Sequence, residues 1–532
     1  MTWEEISQQA CARLDASIPS QWRIPSDKLP PAEQADVMDF PYKSGLFSER
    51  DIAITTSSAT DIVKHIAVGE WKAEDVTRAF CKRAAITHQL TNCLTVMMFD
   101  DAIDRAKHLD DHLKRTGKTV GPLHGLPISL KDNFNIIGKT SATGFCAWAD
   151  EPMKHESTIV GILRDLGAVA YVKTNVPTAM MIAESVNNCY GRTVNPRNRM
   201  LTSGGSSGGE SALITAFGSP LGVGTDIGGS LRIPAAMTGI FTIRPSYGRF
   251  PHFDARSGMA GQEAVGSVHG PMARSIADLK LFAENVVNAR PWLKDPKCIE
   301  IPWRPVTLPE RLKIAVLWHD DVVQPTPPVT RALREVAARL KERGHEVVEW
   351  DARGHKTALE LLAIFFTADG GKSIKKILEA ANEPWRPEMA AYEAANELGV
   401  YDLWQLQRQR TDLGKMYLDK WATSGGVDAI LLPTTPYAAV KNGQFKYVGY
   451  TGVFNILDYT AVSFPTGLHA DKNLDVVPAD FKPLNDMDET TAKDYDAAAV
   501  HGMPISLQLA GRRLQEEKML EVAERVVKDL IW

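Results

Sequence analysis

Apolar residues at helical spacing predict four amphipathic helices. They recur every three or four positions from Trp3 to about Leu14, in DIVKHIAVGEW (61–71), in KAEDVTRAFCKRAAI (72–86) and in QEEKMLEVAERVVKDL (515–530). The helices over 61–71 and 72–86 are predicted to cover a sheet. The proline-rich stretch after Leu14, IPSQWRIPSDKLPPAEQ, predicts an extended arm that lies on the body of the protein.

Short runs of Leu and β-branched residues predict buried strands. LPISLKDNF (126–134) and VAYVKTNVP (169–177) are such runs, and each ends at Asn, Lys or Pro. Similar runs begin at Asp428 (DAILLPTTP) and His501 (HGMPISLQLAG). The segment 313–351 is predicted to form a strand, a helix and a second strand, which is a βαβ unit. Strands that alternate with helices favour an α/β fold with one sheet and helices on both faces.

Composition and charge exclude several classes of protein. The 532 residues carry a net charge of -5 and no basic stripe, which argues against a protein whose main ligand is a nucleic acid backbone. The six cysteines show no close pairing, so the sequence predicts neither a zinc site nor a disulfide framework, and a reducing compartment fits best. No apolar stretch is typical of a membrane span or a secretory signal. The sequence therefore predicts a cytoplasmic protein without a membrane partner.

Glycine is concentrated between Thr202 and Ile243. The first cluster, GGSSGG (204–209), leads into the apolar run SALITAFG, and this disfavours a flexible linker. It also lacks the GK[ST] that a phosphate-binding P-loop requires. A catalytic backbone turn is the third interpretation of this cluster.

The second cluster places a serine, Ser230, directly after two glycines that leave its side chain open to approach. Successive backbone N–H groups in this turn could converge on one oxygen, as an oxyanion hole requires. These N–H groups belong to Ile227, Gly228, Gly229 and Ser230. A tight turn at a helix start, with Ser230 as the N-cap, is the alternative for this motif alone.

A nucleophilic serine needs a base, and Lys131 is the stronger of two candidates. It ends the apolar strand LPISL, and burial lowers the pKa of a lysine because desolvation disfavours the ammonium form. A lysine that extends to solvent at a strand end is the alternative. His124, in GPLHGLP, is the nearest histidine, but a lone loop histidine is more often structural.

The segments GPLHGLPISLKDNF, GGSSGGES and GTDIGGSLRIPAA, in this order, resemble the amidase signature family. The joint pattern is highly specific, although none of its members is specific alone. The resemblance runs from about residue 60 to the C-terminus, and it is greatest to the fungal acetamidase and general amidase branch. It implies a large mixed central β-sheet covered by helices on both faces. It also implies a single domain over 1–532, with 1–55 as an N-terminal arm packed on the core.

The resemblance implies a Ser-cisSer-Lys triad. Ser230 is then the nucleophile, Ser206 the bridging serine after a cis peptide bond, and Lys131 the base. Neutral Lys131 would take a proton through the Ser206 hydroxyl while Ser230 attacks the carbonyl carbon. The same relay would run backwards to protonate the departing amine, and water would then hydrolyse the acyl-serine.

The resemblance also assigns expected roles to residues around the triad. Met180 is expected to line the substrate pocket, and the oxyanion donors include the backbone around Ser206 and Ser230. Asp226 and Arg232 are expected to form an orienting ion pair. Ser207 is expected to support Ser206 by hydrogen bonding. Ten residues in all thus have an expected role in catalysis or substrate binding.

The implied activity is that of an amidohydrolase. It would cleave the C–N bond of small to medium carboxylic amides to an acid and ammonia or an amine, with no cofactor and no metal. The implied partners are a small-molecule amide and, as in many family members, a second copy of the chain. The alternatives are an acyltransferase or esterase on the same triad, the glutaminase component of a tRNA-dependent amidotransferase, and an idle binding protein. The last would have lost a triad residue, and none is lost here.

Overall fold

A computed structural model describes residues 1–531 and confirms the predicted α/β class. The strands are β1 (Leu94–Met97), β2 (Pro127–Lys131), β3 (Val169–Thr174), β4 (Val186–Asn187), β5 (Gly191–Arg192), β6 (Val194–Asn195), β7 (Asn198–Thr202), β8 (Leu221–Asp226), β9 (Phe241–Arg244), β10 (Val268–Ala273), β11 (Lys313–Val316), β12 (Glu346–Glu349), β13 (Ala429–Pro433), β14 (Ala461–His469) and β15 (Pro504–Ala510).

Helices surround the strands along the whole described chain. They are α1 (Trp3–Ala16), α2 (Phe40–Lys43), α3 (Glu49–Thr56), α4 (Ala59–Ala67), α5 (Ala73–Thr91), α6 (Phe99–Thr116), α7 (Thr158–Asp165), α8 (Gly208–Thr215), α9 (Arg232–Thr238), α10 (Ile276–Asn288), α11 (Pro327–Glu342), α12 (His355–Thr367), α13 (Lys372–Glu379), α14 (Ala390–Glu393), α15 (Val400–Thr423), α16 (Gly449–Ile456), α17 (Asp486–Asp494) and α18 (Glu516–Asp529). Within residues 1–531, no helix is both long enough and apolar enough to cross a lipid bilayer.

One mixed sheet of 11 strands organises the fold, in the order β1-β3-β2-β8-β10-β9-β14-β15-β13-β11-β12. Strand β2 pairs in parallel with β3 and β8, and β11 pairs in parallel with β12 and β13. The other neighbours in the sheet are antiparallel. This arrangement confirms the large mixed sheet that the family resemblance implies.

Several elements match their prediction from sequence. Helix α1 covers the predicted segment, and the βαβ unit is present as β11, α11 and β12 with its two strands parallel. The helix predicted over 61–71 ends earlier, at Ala67, where Val68 and Gly69 turn the chain towards α5. Ala10 and Leu14 of α1, together with Ile18, are buried in the same hydrophobic cluster as the central strands. These three residues of the N-terminal segment thus contribute to the hydrophobic core.

Adjacent strands bring the chemically interesting residues together. Lys131 is the last residue of β2, and its parallel neighbour β8 ends at Asp226, just before the second glycine cluster. The carboxyl ends of parallel strands lie at the same edge of a sheet, which is where open α/β sheets usually bind ligands. The first glycine cluster leads into α8, which packs on both strands.

Candidate active site

Lys131 lies in the interior with its ammonium nitrogen held by two hydroxyls. Its side chain is 0% exposed. Nζ donates to Ser206 Oγ at 2.7 Å and to Thr225 Oγ1 at 2.6 Å. Burial lowers the pKa of Lys131 to about 7, although the carboxylates of Asp226 and Glu210 act in the opposite direction. A substantial fraction of the lysine is therefore neutral near neutral pH and able to accept a proton.

Ser206 follows a cis peptide bond, Gly205–Ser206, in the loop that precedes α8. Its side chain is buried at the wall of a cavity. The helix starts close to β3, and a Cβ on Gly209 would lie 2.4 Å from the backbone nitrogen of Asn175. Only glycine allows this approach, so the glycine cluster serves to bring Ser206 against Lys131.

The second glycine cluster forms a turn between β8 and α9. Ser230 is partly exposed to the cavity. Gly229 has a φ of +131°, and a Cβ there would lie 2.3 Å from Thr451 Oγ1. Thr451, on α16, also donates to the carbonyl oxygen of Gly228 at 2.8 Å. The turn is thus fixed from outside by α16.

The backbone N–H groups of this turn divide into two sets. Gly229 N donates to Asp226 Oδ1 at 2.8 Å and is already engaged. Within residues 1–531, the N–H groups of Ile227, Gly228 and Ser230 donate to no other group. Three of the four expected donors are therefore free to bind an oxygen at the cavity, while the fourth holds the turn on Asp226.

Asp226 and Arg232 form the ion pair expected from the sequence. Arg232 Nε lies 3.0 Å from Asp226 Oδ2, and both side chains are 0% exposed. Arg232 also donates to Asn455 and Gln508, and Asn455 donates to Asp226 Oδ1. Burial raises the pKa of Asp226, but the positive charge and hydrogen bonds of Arg232 outweigh it and hold the pKa at about 2. The carboxylate is ionised, and it orients the turn that carries Ser230.

Ser207 has partners other than the expected one. Its hydroxyl donates to the carbonyl oxygen of Thr225 at 3.3 Å and accepts from the N–H of Thr225 at 3.4 Å. Its backbone N–H donates to the carbonyl oxygen of Ser230 at 3.2 Å. The Ser207 side chain therefore bonds to β8 and not to Ser206, while its backbone N–H links the two glycine loops.

A cavity of about 320 Å³ opens in front of the two serines. Met180, Met181 and Met259 give it an apolar wall, beside residues 252–267. Ala179 and Met180 have φ values of +57° and +60°, an uncommon conformation for residues with a side chain. This backbone conformation occurs where the chain bends beside the cavity, and Met180 lies in the wall as expected.

No role was predicted from the sequence for two residues near Lys131, Thr225 and Glu210. Thr225 contacts Lys131 directly, and its position next to Asp226 in the second glycine motif was the available signal. Glu210 is fully buried, with Ser129 Oγ donating to it at 2.5 Å and Thr174 Oγ1 at 2.8 Å. Burial raises the pKa of Glu210 to about 7, despite the opposing effect of these two hydroxyls.

His124 lies outside the cavity, where its Nδ1 accepts the N–H of Val120 at 3.0 Å. This places it with the structural histidines. Among the residues that the structure describes, no three His, Cys, Asp or Glu side chains are grouped as a metal site would require. All six cysteines are free thiols.

Comparisons with known proteins agree with this arrangement. A family model described as Amidase matches residues 75–520. The acetamidase of Aspergillus oryzae is 41% identical over 542 residues, which cover 99% of this chain and 98% of the relative. The acetamidase of Emericella nidulans is equally similar, at 41% identity with 99% and 98% covered. A solved fatty acid amide hydrolase superposes with a TM-score of 0.95 and 35% identity, over 99% of this chain and 95% of that one.

Proposed function

The chain belongs to the amidase family, and on that premise we propose that Ser230, Ser206 and Lys131 carry out its reaction. The protein is an amidase, a hydrolase that cleaves the C–N bond of carboxylic amides. One observation carries the assignment of residues. Lys131, buried and with a lowered pKa, lies 2.7 Å from Ser206 at a cavity that Ser206 and Ser230 both line.

The first half of the reaction forms an acyl-enzyme. The lone pair of neutral Lys131 accepts the Ser206 proton as Ser206 accepts the proton of Ser230, and Ser230 Oγ bonds to the amide carbonyl carbon. The free N–H groups of Ile227, Gly228 and Ser230 stabilise the negative charge that develops on the carbonyl oxygen. Each such donor is worth about 3 kcal/mol in the transition state.

Collapse of the tetrahedral intermediate breaks the C–N bond. The proton held at Lys131 returns through Ser206 to the departing nitrogen, which leaves as ammonia or an amine. Water then attacks the acyl-serine with the same relay as its base, and the acid is released as Ser230 regains its proton. The Asp226–Arg232 pair keeps the turn of Ser230 in place during both halves and takes no proton itself.

The substrate class follows from the dimensions and lining of the cavity. About 320 Å³ lies at the low end of the roughly 300–1,000 Å³ typical of small-molecule sites. The methionine wall suits an apolar acyl group. We therefore propose small to medium amides with an aliphatic or aromatic acyl group as substrates. Six free thiols support a reducing, cytoplasmic location, and a homodimer stays a prediction.

Ammonia release from primary amides tests the function. Acetamide, hexanamide, benzamide and indoleacetamide are incubated with the enzyme, and ammonia and acid are measured together. We expect equal amounts of both, with the largest kcat/KM for an acyl group longer than acetyl, because the apolar wall would bind it better. Ammonia formed without an equal amount of acid, because the acyl group is transferred to an added amine in preference to water, would favour the acyltransferase alternative.

Thr225→Val tests how much the hydrogen bond between Lys131 and Thr225 contributes to catalysis. Valine matches threonine in shape but removes the hydroxyl that lies 2.6 Å from Nζ. Loss of one buried hydrogen bond costs about 1 kcal/mol, so we expect kcat to fall about 5–10-fold while the protein stays folded. Thr225→Ser, which keeps the hydroxyl, should restore most of the activity. Equal kcat values for the valine variant and the wild type would show that the Thr225 hydroxyl does not contribute to catalysis.

A further inference from the structure

Asn133 carries an unpartnered carboxamide in the wall of the catalytic cavity. The residue is 2% exposed and lines the cavity beside Ser206 and Ser230. Its Oδ1 is buried without a hydrogen bond, and the side chain has no other polar partner within residues 1–531. Buried polar groups of folded proteins nearly always have a partner. A carboxamide whose oxygen has no partner, on a residue that lines a ligand cavity, therefore points to a partner on the ligand.

The surroundings hold Asn133 in place without using its side chain. Its carbonyl oxygen accepts the N–H of Arg256 at 2.9 Å, which fixes the backbone. The neighbouring carboxylate, Asp132, is fully engaged, since it accepts from Thr95 Oγ1 at 2.6 Å and from Thr143 N at 2.7 Å. In the described part of the chain no comparable bond restrains the carboxamide of Asn133, so a half-turn about its Cβ–Cγ bond can present either its oxygen or its nitrogen.

The position of Asn133 relative to the triad determines which part of the substrate Asn133 can contact. Ser206 must reach the departing nitrogen to protonate it, so the leaving group lies on the Lys131 side of Ser230. Asn133 comes two residues after Lys131, just past the end of β2, and lines the same cavity as Ser206. A leaving group held near Ser206 on the Lys131 side would therefore come within reach of Asn133.

We propose that Asn133 is a specificity-determining residue that accepts an N–H of the departing amide nitrogen and so favours amides over the corresponding esters. This inference rests on the proposed function of the triad. An amide nitrogen carries a hydrogen-bond donor that an ester oxygen lacks. A site built to receive a donor discriminates against an analogue without one, because its own acceptor is then left unpaired.

Asn133→Leu, which keeps the branched shape and removes both polar atoms, is compared with the wild type on hexanamide and p-nitrophenyl hexanoate. We expect kcat/KM for hexanamide to fall about tenfold, the value of one buried hydrogen bond, and kcat/KM for the ester to change less than about twofold. Thr178→Val is the matched control. It also removes a buried oxygen without a partner, but Thr178 does not line the cavity, so the ratio of the two activities should stay constant.

Two results would overturn the proposal: a parallel fall of both activities in Asn133→Leu, or unchanged hydrolysis of hexanamide. Asn133→Ala provides the same comparison if the leucine variant does not fold. Failure of the triad assignment gives a different result, because Ser230→Ala would then retain both activities whatever residue stands at 133.

Discussion

Ser230→Ala is expected to lose at least about 10⁴-fold in kcat/KM for a primary amide such as hexanamide. Alanine removes the atom that forms the acyl-enzyme, and enzymes that lose such a nucleophile keep only the catalysis provided by binding and the oxyanion hole. The other parts of the site stay in place, because among residues 1–531 no hydrogen bond to the Ser230 hydroxyl holds the turn. Ammonia release measured at saturating enzyme gives the residual rate.

Covalent labelling tests directly whether Ser230 is the nucleophile. An electrophile that acylates serine, such as a fluorophosphonate, should add its mass to the peptide that carries Ser230 in the wild type and leave the variant unlabelled. Ser17→Ala, which alters an exposed serine after α1, should behave like the wild type in both assays. If Ser230→Ala hydrolysed hexanamide near the normal rate, another residue would be the nucleophile.

Lys131→Met is expected to lower kcat/KM about 10²–10⁴-fold, the usual contribution of a general base. Methionine fills the buried space of the lysine but cannot accept a proton. In the wild type, the lysine acts as a base only when neutral, and its pKa is about 7. The wild-type kcat/KM should therefore fall about tenfold per unit as pH decreases below 7, and the residual activity of the variant should lack this dependence.

Lys131→Arg distinguishes the base from a mere positive charge. Arginine keeps a cation and several donors near Ser206, but it stays protonated over the whole range from pH 5 to 9. We expect it to be about as inactive as Lys131→Met at every pH. Activity of the arginine variant near that of the wild type, or a methionine variant with an unaltered acid limb, would contradict the role of Lys131.

The three triad residues could be identified from the sequence because residue types and their order along the chain are enough to match the pattern of a family. Lys131 ends an apolar strand, and Ser206 and Ser230 lie in glycine clusters, so resemblance to a family could assign their roles. The contacts between them could not be predicted in this way. That Lys131 donates to Thr225, or that Thr451 donates to Gly228, depends on the distances between segments far apart in the sequence.

The helices and strands also divide into those that the sequence predicts and those that it does not. Helices α11 and α18 follow from apolar periodicity, and the β11–α11–β12 unit follows from the order of its elements. Strands β10 and β14 have no comparable pattern, since Pro271 lies in the first and Pro465 in the second. Proline and glycine normally disfavour the interior of a sheet. Here both strands are paired on two sides, so the packing of the whole sheet overrides local preference.

The hydrogen-bond partners of Arg232 determine when the enzyme becomes active during its synthesis. The guanidinium that holds Asp226 also needs Gln508, which the ribosome adds 276 residues after Arg232. Domains fold as the chain emerges, N-terminal parts first. The nascent chain therefore carries Lys131, Ser206 and Ser230 long before the turn of Ser230 can be fixed. Activity should arise late in synthesis, in one step, when β15 enters the sheet.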